Sequence, residues 1–291
     1  MSPPCQPYTR IGLQHGSQDP RAKSFLHLLT VLDKMDHPPS YILVENVKGF
    51  ETSDSRDMLV TQLKKTNYEF QEFLLTPSKN IGIPNSRLRY YLLAKLKPLS
   101  FAHQPSISVT KDIDSSMILD YIPCPDGNDS INDKENIVED VIANFLEAEV
   151  DYHDYAVPDK VLLKNGPVFD IVTPSSRHSC CFTKGYFHYA QGTGSILQTN
   201  EELDTVSVFD QIQQNKENTS LQLELLHSLK LRYFTPREVA NLMGFPADFN
   251  FPTATTRKQR YRTLGNSINV TLVSHLMRYL IMEPSSTKIT S

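Results

Sequence analysis

The chain has 291 residues, 39% hydrophobic and 21% charged. That is room for one large domain, or one with a smaller second lobe, at a composition that suits a globular protein. No apolar run approaches the roughly 18 residues of a membrane span, the N-terminus MSPPCQPYTR lacks the pattern of a signal peptide, and a formal net charge of −4 argues against a strongly basic nucleic-acid binder.

Residues 22–36 read as an amphipathic helix, with Phe25, Leu28, Leu29, Leu32 and Met35 at helical spacing and His37-Pro38-Pro39 as its stop. Tyr41 to Val47 is a short apolar run that reads as a buried strand. A second helix fits 55–66 on Met58, Leu59 and Leu63, and strands fit 68–75 and 90–96. The alternation predicts βαβ units and a largely parallel sheet. Residues 101–159 hold fourteen Asp or Glu and two Lys, a net of −12, and read as an acidic, largely disordered insertion with one short helix near 137–148. The rest of the chain carries 27 basic and 19 acidic residues, a net of +8 that the total conceals. Residues 160–220 read as a small irregular lobe with short strands, and 223–233 as a helix. Thr235-Pro236-Arg237-Glu238 is a capping box that opens a helix closed by Gly244. A last helix fits 267–281 on Val273, Leu276, Met277 and Leu280, before a polar tail expected to fray.

Four cysteines (Cys5, Cys124, Cys180, Cys181) show no CxxC pair and no disulfide framework, which favours a reducing, intracellular compartment. No set of metal ligands is evident around them. Cys5 sits among three prolines in SPPCQP, a stiff loop suited to aiming a nucleophile, or simply a proline-rich tail. Glu45-Asn46-Val47 ends an apolar strand, where an open α/β sheet places its ligand crevice, or where a carboxylate is merely solvated. Arg87 and Arg89 enter the next strand, and alternation puts both on one face, either toward a ligand or as an edge-strand charge pair. Arg257, Lys258, Arg260 and Arg262, with Tyr261 interleaved and Lys230, Arg232 and Arg237 nearby, suit phosphate neutralisation and base stacking, or form a solvated turn.

In this order, SPPCQP, ENV, RLR, TPREVANLMGFP and RYRTLGNS resemble five successive stretches of the cytosine-5 methyltransferase family. Cys181-Phe182-Thr183, within SCCFTKGY, is similar to the mark of the eukaryotic tRNA-aspartate subfamily, as are YILVENVKGFE and IGIPNSRLRYYL. The resemblance spans nearly all of 1–100 and 165–282 and is weak over the acidic segment. It implies an α/β fold, an incomplete Rossmann-like class I methyltransferase sheet with a small irregular target-recognition lobe. The organisation it implies is a catalytic core at 1–100, the insertion at 101–159, the recognition lobe at 160–235, a return to the core at 236–282 and a tail at 283–291.

The implied activity is S-adenosyl-L-methionine-dependent methylation of carbon 5 of a cytosine in a tRNA anticodon loop, in the cytoplasm or nucleus. Cys5 would be the nucleophile, with Glu45, Arg87 and Arg89 holding the base. Gly12 and Gly16 would flank a loop that closes over it. Ser2, Asn266 and Ser267 match cofactor-contacting positions. Cys181, Phe182, Thr183, Lys184, Arg257, Lys258, Arg260 and Arg262 would meet RNA. No membrane and no obligate protein partner is implied. The family's glycine-bearing cofactor turn precedes the catalytic loop and is not found here, in keeping with only 11 glycines, about half the average usage of roughly 7%. The expectation is therefore an N-terminally truncated form that binds the cofactor poorly and is weakly active or inactive alone. The alternatives are a DNA cytosine-5 methyltransferase and a catalytically silent tRNA-binding protein.

Overall fold

The computed structural model describes residues 1–4, 18–103, 118–123, 137–189 and 191–284. In chain order the elements begin with α1 (Lys23–Leu32), β1 (Tyr41–Val47), α2 (Asp54–Lys65), β2 (Tyr68–Leu75), α3 (Pro77–Ile81), β3 (Arg89–Leu96) and β4 (Ile118–Leu119). They continue with α4 (Tyr152–Tyr155), α5 (Asp159–Asn165), β5 (Ile171–Val172), β6 (Ile196–Gln198), α6 (Thr205–Gln214), α7 (Thr219–Ser228), β7 (Leu231–Arg232), α8 (Pro236–Leu242), α9 (Arg257–Gly265) and α10 (Val270–Ile281). Two compact units result, one drawn from 1–76, 88–136 and 274–291, the other from 77–87 and 137–273. Cys5, Gly12, Gly16, most of the acidic insertion and the 285–291 tail lie outside the described residues.

The first unit is built on a four-stranded sheet in the order β1-β3-β2-β4. β1, α2 and β2 form the crossover expected from the alternation, but β3 runs antiparallel to both strands and fills the space between them. Among the described strands of this sheet, only β2 and β4 pair in parallel. The largely parallel sheet is thus corrected to a mixed one. The centre of β3 is apolar and buried throughout, Tyr90 to Ala94 being at most 1% exposed, because a central strand is covered on both faces. α1 buries Phe25, Leu29 and Leu32, an i, i+4, i+7 stripe that leaves Leu28 on its flank in solvent. Met35, Met58 and Met277, also expected inside, are exposed. Glu72 on β2 receives both ends of the Arg56 guanidinium and the Tyr90 hydroxyl, so its buried charge is fully paired. The C-terminal part of α10 docks through Tyr279, whose hydroxyl donates to Gln71 Oε1 at 2.8 Å, and through Lys95 Nζ, which donates to Met282 O at 2.5 Å.

The second unit has a small sheet, β5-β6-β7, with β5 and β6 parallel and β6 and β7 antiparallel. Its core interleaves aromatic rings edge to face: Phe182 on Tyr186 and Phe234, and Tyr186 on Tyr233 and Tyr261. The lobe read as irregular carries α5 and α6 besides its short strands. The helix placed at 223–233 runs from 219 to 228, because Asn218 caps it and Lys230 turns the chain at φ +50° into β7. The helix expected at 137–148 is reduced to one 3-10 turn, Ile142–Phe145. Its amides are claimed by distant carbonyls instead, Ile142 N by Ser176 O and Ala143 N by Pro174 O. The Thr235–Glu238 capping box forms as read, and Gly244 follows α8 at φ +71°. A second capping box, Thr256 with Gln259, opens α9, so the basic stretch is helical, which sets aside the alternative of a solvated turn.

Candidate active site

Glu45 lies near the end of β1, 8% exposed, in register with Tyr91 of β3. Its Oε1 faces Arg89 Nε at 3.5 Å, and its Oε2 accepts a hydrogen bond from the Ser2 hydroxyl. The N-terminal segment reaches it along the free side of β1. Met1 N donates to Leu43 O at 2.5 Å and Glu45 N donates to Met1 O at 3.0 Å, the alternating pattern of a parallel pair. Asn46 Nδ2 adds a longer bond to Pro3 O at 3.4 Å. These contacts anchor the backbone that leads into Cys5. The result is a mostly buried carboxylate held between a cation and a hydroxyl near a strand end.

The strand alternation that would put Arg87 and Arg89 on one face does not hold. β3 begins at Arg89, so strand alternation does not extend back to Arg87. Arg89 turns toward Glu45 and donates to Leu88 O at 2.8 Å. Arg87, 4% exposed, belongs to the second unit and engages Cys181 Sγ, Phe182 O and Gly265 O, each at 3.3 Å, and Ser267 O. It braces the 181–182 segment to the 265–267 segment. Two residues not singled out from the sequence strengthen this brace. Buried Asn85 donates to Ser179 Oγ and Cys180 O, and Ser179 Oγ donates to Pro84 O. The only sequence signal was their position beside the singled-out motifs.

Cys180 is exposed, yet its thiol is pushed up to about 11, by desolvation first and then by its hydrogen bond to the Asp170 carboxylate. Phe182, 1% exposed, is core and has no open ring face for a base. Thr183 is half-buried, its N–H bonded to Thr193 O, while Lys184 is exposed. The basic stretch divides in the same way. Arg257 pairs with Asp154 and lies over the rings of Tyr155 and Phe187 at 4.6 and 5.3 Å. Arg260 donates to Thr255 O and covers Phe251. Tyr261, expected to stack a base, is 2% exposed and donates its hydroxyl to Phe234 O. Arg232 is buried in a bidentate pair with Glu238, and Arg237 is tied to Asn241 and Phe249 O. Lys258 and Arg262 remain exposed. Asn266 caps the end of α9 with its side chain exposed, and the Ser267 hydroxyl meets Ile268 O at a long 3.4 Å, so both retain polar capacity for a ligand.

The mixed α/β sheet is consistent with the class I methyltransferase fold of its structural neighbours. The family model for C-5 cytosine-specific DNA methylases matches residues 1–282, and the chain belongs to that family. A Bos taurus protein named tRNA (cytosine(38)-C(5))-methyltransferase is 43% identical, the match covering 96% of this chain and 81% of that protein. A Dictyostelium discoideum protein named DNA (cytosine-5)-methyltransferase is 40% identical, over 97% and 76% respectively. Among solved structures, a DNMT2 variant from Spodoptera frugiperda superposes with a TM-score of 0.78 at 42% identity, covering 97% of this chain and 78% of that one.

Proposed function

We propose that the chain methylates carbon 5 of a cytosine in the anticodon loop of a tRNA of the aspartate type, in the cytoplasm or nucleus. Carbon 5 of cytosine is a weak nucleophile. Addition of the Cys5 thiolate to carbon 6 makes it enamine-like, and loss of the carbon 5 proton with elimination of the thiol then restores the ring. Glu45 hydrogen-bonds the ring nitrogen 3 side and moves a proton there as charge builds. Arg89 orients Glu45 and offsets its charge. S-adenosylmethionine supplies an electrophilic methyl group on a sulfonium centre. Ser2, Asn266 and Ser267 are the residues assigned to hold it, which the free polar capacity of Asn266 and Ser267 supports. Residues 160–235 act as the recognition lobe, with Lys184, Lys258 and Arg262 toward RNA. An anticodon-loop base is already unpaired and costs less to extrude than a duplex base.

The observation that carries this reading is the mostly buried Glu45 carboxylate clasped by Arg89 and Ser2. Methylation of duplex DNA is the second reading, favoured by the name of the Dictyostelium relative. Methyl-labelled S-adenosylmethionine offered with tRNA and with duplex DNA tests both. Label is expected in tRNA cytosine at the low level of a chain weakly active alone, absent after Cys5→Ala and reduced further after Glu45→Gln, by about 10²- to 10⁴-fold. Label in duplex DNA alone, or tRNA labelling that survives Cys5→Ala, overturns the proposal.

A further inference from the structure

In the second unit the turn that follows Cys181 packs directly on the end of α9. Gly265 permits this approach: a Cβ there would fall 2.1 Å from Lys184 N and 2.2 Å from the Thr183 carbonyl carbon. On α9, Lys258, Arg262 and Gly265 are spaced i, i+4, i+7 and share one stripe. Two exposed cations therefore lie in a row that ends against a third, Lys184. Past Lys184 stands Tyr189, 64% exposed. Its backbone is fixed: its N–H donates to Gly185 O at 2.9 Å and its carbonyl accepts from Thr193 Oγ1 at 2.5 Å. The ring lies against its own turn. It meets His188 edge to face at 4.7 Å, and its Cδ2 lies 3.1 Å from the position of a Cβ on Gly185.

The neighbouring rings and two neighbouring cations are engaged inside the protein. Phe182, Tyr186 and Tyr261 are core, Phe187 is stacked on Tyr261, and Arg257 and Arg260 lie over aromatic rings. Tyr189 differs from all of them: it is a ring on a hydrogen-bonded turn with most of its surface in water, at the end of a line of cations. Single-stranded nucleic acid is bound by this combination, since cations track the phosphates and an aromatic face accepts any unpaired base. A duplex keeps its base faces covered and gains nothing from the ring.

We infer that Tyr189 stacks an unpaired base of a single-stranded RNA segment whose phosphates run along Lys258, Arg262 and Lys184. This rests on the RNA reading above and adds a specific contact to it. The test is fluorescence anisotropy with a labelled anticodon stem-loop, titrated at several salt concentrations. Tyr189→Ala is expected to weaken binding by about 5- to 150-fold with the salt slope unchanged, and Tyr189→Phe to keep the parent affinity. The Lys258→Ala/Arg262→Ala variant is expected to flatten the salt slope by about two contacts. Circular dichroism checks that the exposed Tyr189 site leaves the fold intact. Salt-dependent binding indifferent to Tyr189→Ala refutes the stacking alone, as does an equal loss in Tyr189→Phe, which would make the hydroxyl the contact. Equal affinity for a blunt duplex with the same dependence on Tyr189 also refutes it. No RNA binding by the parent chain refutes the RNA reading itself.

Discussion

Replacing Arg232 by Met separates two uses of a cation, binding RNA and holding the core. Arg232 is 6% exposed at its side chain and Glu238 is fully buried. Both guanidinium ends donate to the Glu238 carboxylate at 2.8 Å, and Arg232 also donates to Tyr233 O at 3.0 Å. Glu238 further accepts the amides of Thr235 at 2.8 Å and Glu147 at 3.2 Å, closing the N-terminus of α8. Arg232→Met fills a similar volume but strands a buried carboxylate with two amides as its remaining partners. Breaking one side of such a pair costs about 3–5 kcal/mol. Adding Glu238→Gln removes the stranded charge and keeps one acceptor for the amides, so the double variant recovers most of that loss. Urea unfolding followed by tyrosine fluorescence reads this directly, since the chain has no tryptophan. RNA binding by the surviving folded fraction is expected to keep its salt slope. A cost below about 1 kcal/mol for Arg232→Met, the range of a solvated pair, or a flattened salt slope, refutes the reasoning.

Two further outcomes follow from local geometry. Gly265→Ala places a methyl against the Lys184 backbone, which has no side-chain freedom with which to yield. It is expected to lower stability by about 1–3 kcal/mol and to weaken RNA binding through the displaced Lys184; a variant of parental stability and affinity contradicts the close approach. Cys180 is expected to react with iodoacetamide about a hundredfold more slowly than a thiol of ordinary value 9.0 at neutral pH, because its thiol is held near 11. Asp170→Asn should speed the reaction. The shift is upward, so the protonated thiol is the folded form's preferred state. Its contribution to stability is full below pH 9.0 and is lost as the pH rises through about 11. A reaction half-point near 9 would contradict both the desolvation of the thiol and the Asp170 contact.

What the sequence determined is local. YILVENV specifies a buried strand with its carboxylate near the end, because an apolar run of that length has one economical place in an α/β sheet, and Glu45 stands there at 8% exposure. Thr235 and Glu238 specify a helix start, because both partners of the capping box lie within one turn. The ordered motifs were enough to identify the family. Tertiary structure decided what residue type and spacing leave open. β3 slots antiparallel between β1 and β2 because the crossover leaves a gap one strand wide, a fact of sheet assembly rather than of any segment's pattern. Arg87 and Arg89, two residues apart, take opposite tasks because the strand begins between them. A basic run reads the same whether its charges meet solvent or carboxylates. Only the packing of α9 and β7 assigns Arg257 to Asp154 and Arg232 to Glu238, and leaves Lys258 and Arg262 exposed. The partners lie as many as 103 residues apart along the chain, beyond the reach of any local pattern.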